Sequence, residues 1–96
     1  MGRAFNLTIP ASGVGVDPVP VSVSGQTFFS GEGVFQYAYD PADFDSSQFS
    51  EWNLATGNAP MFHFPSKTIL WVRQNPTAGA PATPLYIHTC IGEEGY

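Results

Sequence analysis

Two runs of residues constrain the fold of this chain more than any others: Lys67-Thr68-Ile69-Leu70-Trp71-Val72-Arg73 and Pro84-Leu85-Tyr86-Ile87-His88-Thr89-Cys90-Ile91. Both are dense in β-branched and aromatic side chains, and both are bounded by Pro, Gly or Asn, which is how strands look in sequence. Gln74 to Thr83, between them, is too rich in Pro, Ala and Gly for regular structure. The pair therefore predicts a central β-hairpin with a long loop. In the first run Ile69, Trp71 and Arg73 share one parity, and Thr68, Leu70 and Val72 the other. Both faces are largely apolar, so both must be covered. A second sheet would cover one side, and the chain's own loops or another subunit the other.

The rest of the chain reads as short strands separated by turns. Arg3 to Ile9 alternates, with Phe5, Leu7 and Ile9 on one face, and Pro10 ends it. Ala11 to Pro20 is a loop or an irregular edge segment, because Pro18 and Pro20 cannot both serve a central ladder. Val19, Val21 and Val23 mark a second strand, Ser24-Gly25-Gln26 a turn, and Thr27-Phe28-Phe29 a third strand. After the turn Ser30-Gly31-Glu32-Gly33, a fourth strand runs from Val34 to Tyr39. Met61-Phe62-His63-Phe64 is a fifth, closed by Pro65-Ser66, and Gly92 to Tyr96 is a solvated tail. The expectation is an all-β, single-domain β-sandwich or β-barrel spanning residues 1–96, with about seven short antiparallel strands.

One stretch departs from this pattern. Asp40 to Leu54 carries most of the acids together with Phe44, Phe49 and Trp52. Ser46 or Ser47 is placed to cap a short turn of helix, with Phe49, Trp52 and Asn53 at helical spacing and Gly57-Asn58 as its end. A long excursion between strands is usually a functional loop or an interface arm. Its aromatics must be buried in the local core or against a neighbouring subunit.

Composition narrows the function. Hydrophobic residues make up 43% and aromatics 15%, too apolar for a disordered chain. Charged residues are only 11%, less than half of the ~25% usual in soluble domains. Interfaces are poor in Lys and Glu and rich in aromatics, so this balance favours an assembled protein over a free monomer. A net charge of −5 with three basic residues leaves no patch for nucleic acid. No run approaches the ~20 apolar residues of a membrane span, and Gly2 to Asn6 leads into strand alternation without the apolar segment of a signal peptide. Cys90 is the sole cysteine, which excludes an intrachain disulfide and a cysteine zinc site. In an apolar strand it reads as a small buried hydrophobe, in a reducing compartment or on a particle that does without disulfides.

The chemical constellations are weak. Asp40, Asp43, Asp45 and Glu51 lack the spacing and the bend glycine of a calcium loop and read as a solvated acidic loop. His63 and His88 each lie alone in a strand, outside any zinc or catalytic spacing. Gly31-Glu32-Gly33 is too short and too acidic to cradle phosphate. No catalytic, cofactor or metal residue is assigned, and the chain reads as a non-enzyme. Trp52, Trp71, Tyr37 and Tyr86 are candidates for stacking on sugar rings, which keeps a carbohydrate-binding β-sandwich module as the alternative.

The strand Ile69-Leu70-Trp71-Val72-Arg73, the Pro/Ala/Gly loop after it and the closing strand Pro84-Leu85-Tyr86-Ile87 resemble the small all-β proteins of tailed-bacteriophage virions, in particular capsid cement or decoration proteins. The resemblance covers mainly the C-terminal third and is one of style, without a diagnostic motif. It implies a trimer that sits on the capsid surface, binds the major capsid protein and copies of itself, and is made in the host cytoplasm. The excursion from Asp40 to Leu54 has no counterpart there, which keeps a fibre or tail component open. A few aromatic or Arg anchors usually carry most of an interface's energy, and Phe44, Phe49, Trp52 and Arg73 are the candidates.

Overall fold

The computed structural model describes residues 2–57 and 59–90. Among the described residues six strands occur: β1 (Gly2–Ile9), β2 (Val19–Gly31), β3 (Val34–Ala38), β4 (Ser50–Asn53), β5 (Met61–Gln74) and β6 (Thr83–Cys90). Single turns of 3-10 helix at Pro41–Phe44 and Leu54–Thr56 complete the regular structure. All strands join one antiparallel sheet in the order β1-β6-β2-β5-β3-β4. The chain is all-β, as its alternation implied.

Two expected breaks are bends inside long strands, which merges four expected strands into β2 and β5, and the unexpected β4 brings the total to six instead of about seven. Ser24-Gly25-Gln26 is not a turn: Gly25 takes a positive φ of 70° and β2 continues through it. Opposite it, Pro65-Ser66 does not close a strand, since β5 runs on from Met61 to Gln74. Val23 pairs with Thr68 and Gly25 with Phe64, so β5 carries two residues more than β2 across this corner. An even surplus keeps the same parity facing inward on both sides of the bulge. Pro65, which has no N–H to give, sits where the ladder is interrupted.

A third expected element is replaced. Residues near Trp52 form strand β4 paired with β3, Trp52 opposite Phe35, rather than a turn of helix. Gly57 does end the segment, in the left-handed region at φ 85°. The central hairpin is also corrected: β5 and β6 do not pair, because β2 lies between them. The physical reason is β2 itself. Val21, Val23, Thr27 and Phe29 are buried along its whole length, and placing it in the middle lets it pair with β5 over Val19–Phe28 and with β6 over Gln26–Gly31.

The sheet is folded over its own apolar face. β2 and β4 are three strand spacings apart, about 14 Å in a flat sheet. Yet Phe29 and Trp52 stack with centroids 4.4 Å apart. β1 and β5 are equally distant in strand order, and Gln74 Nε2 on β5 donates to the carbonyls of Pro10 at 3.0 Å and Pro81 at 2.8 Å, with that of Ile9 at 3.5 Å. The least dimension, 18 Å, is that of two sheet layers about 10 Å apart with their side chains. Inside lie Ile9, Val21, Phe29, Leu70, Val72 and Leu85 among others, all essentially without solvent contact.

Candidate interaction surface

The excursion folds back on the sheet's outer face. Asp40 Oδ1 accepts from the backbone N–H of Ala42 at 2.9 Å, capping the 3-10 turn that Pro41 opens. That turn sets Phe44, 7% exposed, over the far side of β3 and β5. Gln36 and Ala38, which point away from the core occupied by Phe35, are buried beneath this cover. Arg73 is its central post: the guanidinium carbon lies 4.5 Å from the Phe44 ring centre and 5.4 Å from that of Phe49. Arg73 Nε donates to Gln36 Oε1 at 2.9 Å, and Gln36 Nε2 donates to Glu51 Oε2 at 3.0 Å. Asn75 Nδ2 donates to the same carboxylate oxygen at 2.7 Å. The buried amide thus relays the attraction between a cation and a carboxylate that do not touch.

Arg73→Ala removes this post, leaves Gln36 Oε1 without its donor and is expected to lower stability by about 2 kcal/mol. Limited proteolysis should speed up within residues 40–49, and Arg73→Lys should restore little, because an ammonium cannot reproduce the planar fork. Unchanged protection of the excursion in Arg73→Ala would show that the rings hold it unaided.

The four residues expected to anchor a partner differ in how far they reach solvent. Trp52 is 6% exposed, stacked on Phe29 at 4.4 Å and on Tyr37 at 4.3 Å. Phe44 is equally enclosed, Phe49 is half-buried beside it at 5.7 Å, and Arg73 is held between them. Trp52 packs inside the folded sheet, whereas Phe44, Phe49 and Arg73 pack on one another over its outer face. Trp52 and Phe44 therefore offer little area to another molecule, while Phe49 and Arg73 stay partly exposed.

Free area lies elsewhere. Across the outer face of β5, β2, β6 and β1, the register sets Met61, Phe28, His88 and Ala4 in one row. Phe28 and His88 stack face to face, centroids 4.4 Å apart and planes 3° from parallel. One row along, Tyr86 stands between Ser30 and Asn6. Met61 is 66% and Tyr86 42% exposed, and Ile69 also reaches solvent, so the chain's own loops do not cover the outer face of β5 completely. This row was missed as an interface in the sequence, where the one usable signal was parity: Phe28 cannot face inward if Phe29 does. Of the six strands only β4 contains an acidic residue, Glu51.

Other constellations are not brought together. His63 and His88 share the outer face but are two strands apart and one row out of line, with no carboxylate in β1, β2, β5 or β6. Among the described residues no three His, Cys, Asp or Glu side chains are grouped to hold a metal ion. A cleft of about 660 Å³ lies beside Arg73, lined also by Val14, Val16, Asp17, Phe44 and Asp45. The Cys90 side chain and the expected tail, Gly92 to Tyr96, lie outside the described residues. Comparison with protein-family models, curated proteins and solved structures finds no match.

Proposed function

We propose that this chain is a non-catalytic structural protein of a virion surface, a capsid cement or decoration protein that binds the major capsid protein and copies of itself. The observation that carries the reading is the outer face of β1, β6 and β2, which presents Phe28, His88 and Tyr86, with Met61 on the neighbouring β5. An exposed apolar row on a rigid sheet, in a chain otherwise short of charge, suits burial against another protein. The virion assignment comes from the likeness of the C-terminal third to such proteins. Many weak contacts become lasting once repeated on a lattice.

The sugar-binding alternative has less to stand on. Both faces of Trp52 are occupied by Phe29 and Tyr37, and Tyr37 is half-buried in the same stack. Trp71 and Tyr86 are left, on separate strands.

The test is co-sedimentation and light scattering of the purified chain with capsids assembled from the major capsid protein of the same phage. Saturable binding is expected. Tyr86→Ala, at an exposed position, should weaken it at least about tenfold without moving Tm. Absence of capsid binding by the parent chain would remove the cement reading, whatever the chain's own oligomeric state.

A further inference from the structure

One titratable side chain stands inside the exposed apolar row. His88 lies between Phe28 on β2 and Ala4 on β1, with Met61 one strand further along. Its ring is half-buried and stacked on Phe28, centroids 4.4 Å apart and planes 3° from parallel. The stack covers one face of the imidazole and leaves its nitrogens uncommitted. Among the described residues His88 has no hydrogen bond or ion pair.

Charged groups around it are few. On β6 its same-parity neighbours are Tyr86 and Cys90, and β1 contributes Gly2 and Asn6 beside Ala4. From β2 come Gln26 and Ser30 beside Phe28. His63 is two strands away, opposite Gln26, and Lys67 follows it on β5 beyond the corner at Gly25. Arg3 is registered with Thr89 and so has the other parity. Glu32 stands just past the end of β2, four residues beyond Phe28, and Glu51 is on β4, four places from β6 in the sheet order. Glu93 and Glu94 lie outside the described residues. None of the described acids belongs to the row of His88.

We propose that His88 makes this face a pH-gated docking surface: it holds an apolar protein partner while the imidazole is neutral and releases it once His88 takes up a proton. The inference rests on the cement reading and adds the regulation of the same face. Contact with a partner takes the whole row out of water. A neutral imidazole brings one donor and one acceptor into that contact, whereas an imidazolium brings two donors and a full charge. With no described anion in the row to pair with it, the charged form is the one that burial penalises. The complex therefore holds fewer protons than the separated proteins, and its affinity falls as pH falls. Imidazole is the side chain that makes this change roughly between pH 5 and 8. The stack on Phe28 tolerates the proton, because a cation is attracted to an aromatic face. The chain thus stays folded while the contact is lost.

Capsid co-sedimentation of the full chain, from about pH 7.5 down to about pH 5.5, tests this. The parent should lose at least about tenfold in affinity over that range, with its circular dichroism unchanged. His88→Gln, and His88→Phe as a second variant that keeps a ring on Phe28, should hold their Kd within about twofold across it. His63→Gln, exposed on the same face but outside the row, should keep the parent's pH dependence. Equal affinity at both ends, tighter binding at the acid end, or a loss shared by both His88 variants overturns the inference and leaves the cement reading in place. Absence of capsid binding by the parent at every pH removes the cement reading and the inference with it.

Discussion

Trp52→Ala should lower unfolding free energy by about 3–5 kcal/mol, the largest effect expected of any single truncation here. The indole is nearly enclosed and is sandwiched by Phe29 and Tyr37, with Phe62 at 5.8 Å. Removing it takes away more than buried area. Trp52 is the side chain through which edge strand β4 reaches β2 across the fold of the sheet, and β4 otherwise pairs only with β3. For a chain of this size the loss corresponds to a fall in Tm on the order of 15 °C or more. Urea denaturation followed by near-ultraviolet circular dichroism checks it, because the stacked rings dominate that signal. Trp52→Phe keeps part of the stack and should lose on the order of 1–2 kcal/mol. A Trp52→Ala chain within about 1 kcal/mol of the parent would mean that the sheet does not close over β4.

The second large effect belongs to Gln74. Its amide nitrogen ties together the end of β5, the end of β1 and the connection into β6 through the carbonyls of Pro10 and Pro81. The residue is buried, 2% exposed. Gln74→Leu fills the space but strips both acceptors of their donor, at a cost of about 2–4 kcal/mol. Gln74→Glu is the more revealing change. An ionised carboxylate there faces carbonyl oxygens with no proton to offer, so burial and repulsion raise its folded pKa above the unfolded value of about 4.3. Between those two values the native state binds more protons than the unfolded state, so stability falls as pH rises through that window. The deficit of Gln74→Glu against the parent should therefore be small below about pH 4 and greatest at neutral pH. Denaturant midpoints of both proteins across that range measure it. A deficit independent of pH would place position 74 in solvent.

These two residues illustrate what was legible beforehand. The all-β class followed from alternation, and β1 from Phe5, Leu7 and Ile9. The corner at Gly25 and Pro65 was misread as two strand ends, because a bulge and a turn draw on the same residues and differ only in what lies across the ladder. The insertion of β2 between β5 and β6 is a non-local choice, decided by which strand has two edges worth burying, and no local pattern encodes it. For the same reason Phe44 and Trp52 were legible as aromatics needing cover, and the identity of the cover was not. Gln74, the buried amide that latches two distant segments, stood at the edge of an expected loop and carried no signal. The outer row of Phe28, His88 and Tyr86 depended on knowing that three strands lie side by side.

The pairing of β1 with β6 also bears on how the molecule is made. Gly2 meets Cys90 and Ile9 meets Thr83, so nearly all of the described chain lies between the two partners. During synthesis residues 2–9 emerge from the ribosome long before residues 83–90 exist. An apolar strand must therefore wait, solvated and unmatched, for its complement. Closure over so long a loop is slow, because its entropy must be met before the contacts form. The nascent polypeptide is thus most vulnerable to capture by neighbours at the segment that finishes last, and chaperone occupancy during translation should centre there.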